Sequence, residues 1–372
     1  MRDHLEEKVQ LVIERLKNLQ RPENENDIGS SMPDGGTSIG LFKRDFGMNP
    51  WEWPQGVGLF GMLKVQQITG DAALLKYILD WYRRHLKEGL PLRNVNTSAP
   101  LLTMAFLQPE LGQEARALCA DWAQWILNGL PKTRDGGFQH TTTSAIEEEL
   151  VRLNEGQIWI DTLFMTVLFL AKYGAEADDR ECVDEAIHQF LVHIKYLYEK
   201  NTGLFYHGFT FMENNNFGGV FWCRGNCWYT VAVMELLEIL DGRIDSGTKQ
   251  FLLDTYRSQV EALEKLQAPS GLWNTVLTDS ASYEEVSGSA GFVYGILKGI
   301  RLGYLDRKYL PAANKAVDAI VANIREDGTV MNVSAGTCMG DHADHYKKII
   351  IAPMAYGQSL VVLALSEALR AV

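Results

Sequence analysis

One charge stands in the otherwise apolar run Gln157-Ile158-Trp159-Ile160-Asp161-Thr162-Leu163-Phe164-Met165, which continues without another as far as Ala171. That charge is Asp161. A carboxylate set among apolar side chains is costly to ionise, so its pKa is raised unless a partner compensates, and a carboxyl that keeps its proton can act as a general acid. The position also suits a structural aspartate that accepts backbone N–H groups at a helix start. A second isolated charge, Arg224, lies between Trp222 and Trp228. A guanidinium there needs an anion, either a substrate carboxylate or a protein carboxylate in a buried ion pair.

The segments around these two charges carry Trp51 and Trp53, Asn94 and Asn96, His140, Trp159, Tyr206 and His207, Asn226 and Trp228, and Ser287 and Ser289. Five of the 9 tryptophans fall in or beside them. Indoles next to Asn, His, Arg and Asp match what a sugar needs, because its C–H faces stack while its hydroxyls seek polar partners. For any one of these tryptophans, plain core filling is an equal alternative. The pair His342 and His345, with Asp341 beside it, has metal-ligand spacing. The Gly-rich Gly336-Thr337-Cys338-Met339-Gly340 before it does not read as a helix, so a solvent or substrate loop is the favoured reading, and no metal or cofactor is expected. No phosphate loop, dinucleotide fingerprint or Gly-x-Ser-x-Gly elbow occurs.

These residues need a scaffold, and the apolar pattern supplies helices. A period of 3.6 residues recurs along the chain with no long β-alternation. Six amphipathic, charge-rich helices are predicted over 5–19, 71–88, 113–128, 178–199, 246–267 and 307–325. They alternate with six Gly-, Ala- and aromatic-rich ones over 56–68, 97–107, 157–173, 225–240, 289–302 and 356–369. Six outer and six buried helices in alternation predict an all-α fold, an (α/α)6 barrel closed into a toroid, as one domain over 1–372; an open solenoid is the rival. A shorter repeat supports closure: Asp135-Gly136-Gly137-Phe138, Thr202-Gly203-Leu204-Phe205, Ser270-Gly271-Leu272-Trp273 and Asp327-Gly328-Thr329-Val330 share one shape. Each is expected to end an outer helix at its Gly and to bring a loop to one common rim. The polar stretch Arg21 to Gly36 reads as a surface loop.

Composition excludes several classes. With 35 Lys and Arg against 47 Asp and Glu, the net charge is −12, and no basic stripe invites nucleic acid. The odd set Cys119, Cys182, Cys223, Cys227 and Cys338 argues against a disulfide framework. No apolar run reaches the roughly 20 residues of a membrane span, and the first helix is charged rather than an apolar leader. The reading is a cytoplasmic protein; the oligomeric state is left open.

Trp51-Glu52-Trp53-Pro54-Gln55-Gly56-Val57, Gly136-Gly137-Phe138-Gln139-His140, Trp159-Ile160-Asp161-Thr162-Leu163-Phe164-Met165, Leu204-Phe205-Tyr206-His207, Trp222-Cys223-Arg224-Gly225-Asn226-Cys227-Trp228 and Ser287-Gly288-Ser289-Ala290 run in one order along most of the chain. In that order they resemble glycoside hydrolase family 105, a relative of family 88. The resemblance implies an (α/α)6 barrel that acts on small oligosaccharides ending in a 4,5-unsaturated uronic acid. Asp161 would protonate C4 of the vinyl ether and help water add at C5, His207, Arg224 and Trp228 would hold the uronate, and His140 would be a further site residue. Trp53, Asn96 and Ser287 complete the substrate-binding set. Many relatives carry a second Asp where this chain has Asn96, which can hydrogen-bond but cannot exchange a proton. The usual pair of glycosidase carboxylates is thus incomplete, and Asp161 would act nearly alone. The stretch Thr141 to Glu155, with Glu147, Glu148, Glu149 and Glu155, would reshape the mouth. A sugar epimerase using His140 and His207, or a non-catalytic sugar-binding module, are the alternatives.

Overall fold

The computed structural model describes residues 2–21, 41–144, 150–336 and 339–371. Glu147, Glu148 and Glu149, Cys338 and nearly all of the predicted loop over 21–36 lie outside them. Helices Arg2–Asn18, Ala72–Glu88, Gln113–Asn128, Arg180–Leu197, Ser246–Leu266 and Leu310–Ala322 each bury one stripe and form the outer layer. Helices Trp53–Thr69, Ala99–Phe106, Leu168–Ala177, Cys223–Ile239, Val286–Arg301 and Ala355–Ala371 are buried on nearly every side. Within this inner layer each helix packs on the next in sequence, and Ala355–Ala371 returns to pack on Trp53–Thr69. The ring is closed, so the (α/α)6 toroid is the fold and the solenoid is not.

Capping explains where several helices begin. Asp71 accepts Ala73 N at 2.8 Å and Leu74 N at 3.1 Å, Asp245 accepts Gly247 N and Thr248 N, and Glu285 accepts Ser287 N and Gly288 N.

The short Gly motifs do gather between outer and inner helices, but their Gly does not end the outer helix. Gly136, Gly203, Gly271 and Gly328 all take positive φ, between 77° and 105°, in tight turns after it. A Cβ at Gly203 would lie 2.7 Å from Ser258 O, at Gly271 2.6 Å from Lys315 O and at Gly328 2.2 Å from Leu11 O. Each of these turns therefore presses on the next outer helix around the ring, and the last presses on the first.

One predicted helix start is corrected. Gln157–Trp159 is a strand, antiparallel to Gly208–Thr210, with Trp159 opposite Gly208. Helical geometry begins at Thr162, runs through a π-helical turn at Leu163–Val167 and continues as Leu168–Ala177. An apolar run buried throughout looks the same to a period count whether it is strand or helix. The described part of the stretch from Thr141 is a hairpin, Thr141–Thr143 with Val151–Leu153.

Candidate active site

The inner helices run parallel, since their first turns meet at one end and their last turns at the other. At the far end Lys64, Glu235, Glu238, Lys298, Arg301 and Glu367 form one charged network, of which Lys64, Glu238, Arg301 and Glu367 line a cavity of about 300 Å³. At the near end sit Trp53, Phe164, Arg224, Trp228 and Tyr356. Helix N-termini carry partial positive charge, so this near end favours an anion and the far end favours cations.

The strand pairing places the acid. Ile160 N donates to His207 O at 3.0 Å, which brings His207 Nε2 to 3.2 Å from Asp161 Oδ2. Apart from this ion pair, Oδ2 is buried and has no hydrogen-bond partner among the described residues. The Asp161 backbone carbonyl meanwhile accepts both Phe164 N and Met165 N at the π-helical turn. Burial alone would raise the Asp161 pKa, but the charge and contact of His207, with His140 behind it, outweigh burial and hold it below the ordinary carboxylate range. The compensating partner is thus present, and the raised pKa expected without one is not. His140 is buried, with Nδ1 2.9 Å from Thr162 Oγ1 and its ring stacked on Trp159 at 4.2 Å. Burial pulls its pKa down to about 3, against the pull of Asp161, so it is neutral at any working pH.

A continuous run of ring and cation–ring contacts from Trp159 to Phe164 walls this end. Trp159 lies 5.6 Å from His207, and His207 4.5 Å from Trp222. Arg224 is sandwiched between Trp222 at 4.4 Å and Tyr356 at 4.7 Å. Tyr356 stacks on Trp53 at 4.7 Å, Trp53 meets Trp228 edge-on at 6.0 Å, and Trp228 lies 5.3 Å from Phe164, three residues after the acid. The Trp228 indole N–H is buried without an acceptor among the described residues.

Arg224 is more committed to protein than a free uronate ligand would be. It donates to Ser334 O, Ser334 Oγ, Ser287 Oγ and Ala335 O, and Nη1 is 3.8 Å from Glu285 Oε1. The buried ion pair that the sequence left as one alternative is therefore present. Ser287 is buried and engaged with Glu285 and Arg224, and Ser289 and Asn226 are likewise spent on backbone groups. Asn94 closes its own turn and holds Thr143, while Trp51 stacks on Trp81 and donates to Thr97 O; both are scaffold. Asn96 is half-buried, makes no side-chain hydrogen bond to the described residues, and is carried on a segment tied to the π-helical turn by Thr166 Oγ1 donating to Val95 O.

Several residues escaped sequence reasoning. Tyr356 was read only as part of an inner helix, and Tyr346 lies one position beyond the His342–His345 segment. Asp45 is buried in the turn before Trp53–Thr69, with Phe42 N its donor; burial, opposed by Arg44 and reinforced by Glu52, raises it to about 7. A second cavity of about 420 Å³ opens beside this turn, between Arg44, Trp51, Glu52, His85, Thr97 and Thr143. Its hydrogen bonds run to the Asn94–Thr97 segment rather than to Asp161.

Residues 42–372 match the model of Glycosyl Hydrolase Family 88. The chain is 30% identical over 333 residues to the unsaturated rhamnogalacturonyl hydrolase YesR of Bacillus subtilis (strain 168), which covers 89% of this chain and 93% of that protein. Two crystal structures of possible GH105 family members superpose over the whole chain with TM-scores of 0.89. One, from Salmonella enterica serovar Paratyphi A, is 39% identical with 95% of it covered; the other, from Klebsiella pneumoniae, is 37% identical with 94% covered. The chain belongs to glycosyl hydrolase family 88 and is a glycoside hydrolase. The epimerase and binding-module alternatives give way to that membership.

Proposed function

We propose that this enzyme removes a 4,5-unsaturated uronic acid from the non-reducing end of small, lyase-generated oligosaccharides, rhamnogalacturonan fragments first among them. The observation that carries the reading is the Asp161–His207 pair, 3.2 Å apart beneath an aromatic wall. The activity named for YesR, 30% identical over nearly its whole length, supports the substrate class.

A low pKa for Asp161 looks wrong for an acid until the pair is treated as a unit holding one proton. An incoming uronate brings negative charge, which raises proton affinity nearby. Stacking of the sugars on the wall expels water, which penalises carboxylate–imidazolium relative to neutral acid and imidazole. The proton then sits on Asp161 and passes to C4 of the vinyl ether, leaving positive charge shared between C5 and the ring oxygen. Water adds at C5 as the Asp161 carboxylate takes its proton. The C5 hemiketal opens to a 5-ketone, and the C1 hemiacetal so exposed expels the next sugar, releasing a 4-deoxy-5-keto uronate. One carboxyl serves both steps, so Asn96 in place of a second Asp is no obstacle. Asn96 and neutral His140 supply hydrogen bonds, and half-buried Trp53 supplies stacking surface with buried Trp228 packed behind it. The inner helix N-termini favour the uronate charge, while Arg224 and Ser287, bound to Glu285, hold the wall from within.

Loss of the enol-ether absorbance of an unsaturated rhamnogalacturonan disaccharide, with wild type but not Asp161→Asn, is the expected outcome. Persistence of the band with wild type on this and other unsaturated disaccharides overturns the reading. We place the reaction in the cytoplasm, which suits the free buried thiols of Cys119, Cys182, Cys223 and Cys227; among the described residues no helix is long and apolar enough to cross a membrane. Fractionation of the producing cells tests this.

A further inference from the structure

We propose that Tyr346, on the short helix Ala343–Lys347, is a positioning residue that keeps the His207 ring aimed at Asp161 whether or not that ring carries its second proton. The inference rests on the reading of Asp161 as the acid. Tyr346 is buried, and its hydroxyl lies 3.0 Å from His207 Nδ1, on the side of the imidazole opposite the Nε2 that faces Asp161. The same hydroxyl accepts Gly340 N at 3.1 Å, and Met339 Sδ lies 3.7 Å away.

These partners give the hydroxyl two settings. When both groups have given up the shared proton, Tyr346 donates to Nδ1 and the remaining ring proton sits on Nε2, pointing at the Asp161 carboxylate. When the pair holds that proton, Nδ1–H donates to the phenol oxygen and the phenol proton turns to the thioether, a weak acceptor. Nε2 then either donates to Asp161 or, once the proton has crossed, accepts from its carboxyl. Neither state orphans a ring nitrogen, so the proton shared with Asp161 can leave and return while the imidazole stays still. The titratable groups facing His207 are Asp161 in front, His140 across Trp159 and Tyr346 behind; Arg224 lies beyond Trp222. The helix bearing Tyr346 is pinned to the rim twice, by Tyr283 Oη donating to Tyr346 O at 3.3 Å and by the Lys347–Asp279 ion pair.

Tyr346→Phe removes the hydroxyl and keeps the ring, which packs 5.6 Å from Trp222. Loss of one buried hydrogen bond to a group charged for part of the cycle is expected to lower kcat by roughly tenfold. KM should stay within about twofold, because the hydroxyl is spent on His207 Nδ1, Gly340 N and Met339 Sδ. The protonated ring loses the stronger bond, so the alkaline limb of the kcat profile should move down by about half a pH unit. A merely structural role would lower the thermal midpoint and the amount of active enzyme without moving that limb. Wild-type kcat and an unmoved limb in Tyr346→Phe, with wild type active and Asp161→Asn inactive, overturn the inference and leave the hydrolase reading standing. NMR of the enzyme carrying nitrogen-labelled histidine reads the tautomer without turnover. Above the pH at which the pair loses its shared proton, His207 should hold its remaining proton on Nε2 in wild type and lose that preference in Tyr346→Phe. A ring proton on Nδ1 there in wild type overturns the proposal even if no substrate is cleaved.

Discussion

Glu235→Gln separates the scaffold from the site. Glu235 is fully buried at the far end of the toroid, where it meets Lys64 at 3.1 Å, Lys298 and the Tyr294 hydroxyl. Burial pushes its pKa up, but Lys298 and Lys64 together pull harder and bring it from 4.5 down to about 2. That fall of about 2.5 pH units, at 1.36 kcal/mol each, corresponds to roughly 3 kcal/mol, within the 3–5 kcal/mol typical of breaking a buried pair. Across 372 residues, an unfolding entropy of about 2.1 cal/mol/K per residue makes this about 4 °C in the thermal midpoint. The sign with pH follows from linkage. A carboxylate whose pKa is depressed on folding stabilises above its unfolded pKa and loses that contribution as pH falls through the folded one. Thermal scans of wild type and variant at one rate should therefore differ at pH 7, and the gap should close between about pH 4.5 and about pH 2. The variant should retain wild-type kcat at room temperature. An unchanged midpoint at pH 7, or a gap indifferent to acid, refutes the account of this network.

Other outcomes follow from the near end. Asp161→Asn should lower kcat by a factor of roughly 10² to 10⁴, the usual worth of a general acid, and, because it ends the pairing with His207, should also lower the thermal midpoint at pH 7 slightly, as read by absorbance and calorimetry. Asp45 has its pKa raised on folding, so ionising it costs stability as pH climbs from 3.8 towards about 7; Asp45→Asn should melt higher than wild type at pH 8 and no higher at pH 4. His85, His140 and His193 are held neutral by burial, at about 4, 3 and 4, so folding excludes protons that the unfolded chain binds. Urea midpoints should therefore fall steadily as pH drops below 6.5, and His140→Asn should shallow that slope. Trp53→Ala breaks the run of rings between Tyr356 and Trp228 and should raise KM several-fold more than it lowers kcat, measured by steady-state kinetics.

The twelve long helices could be read from the chain because their burial is one-sided in the outer layer and complete in the inner one, and both leave a helical period. Ring closure was legible for a different reason: Gly136, Gly203, Gly271 and Gly328 repeat a turn that only a Gly fits. Gln157–Trp159 was misread because a strand buried on both faces carries no alternation to betray it. That error hid the pairing that sets His207 beside Asp161 from more than forty positions away. The pKa of Asp161 could not be read at all, since its sign turns on one imidazole at 3.2 Å. Arg224 was singled out correctly as an isolated charge, but its partner Glu285 comes from another hairpin, and no local pattern links them. Tyr346 left no signal beyond a lone aromatic residue in an irregular segment.

The slot filled by helix Arg2–Asn18 bears on how this chain is made. That helix packs on Ala355–Ala371, offers Leu11 to the turn at Gly328, and accepts Gln358 Nε2 at Val12 O. It emerges from the ribosome long before the segment around Gly328 and Ala355–Ala371 that builds its resting place. Hairpins in the middle of the chain can pair with their neighbours as they appear, whereas this helix must wait with its apolar stripe of Leu5, Val9, Val12, Ile13 and Leu16 uncovered. The final closure spans almost the full sequence, the slowest kind of contact to form. A fragment lacking its last hairpin would therefore carry a sticky helix at its front as well as an open seam at its back.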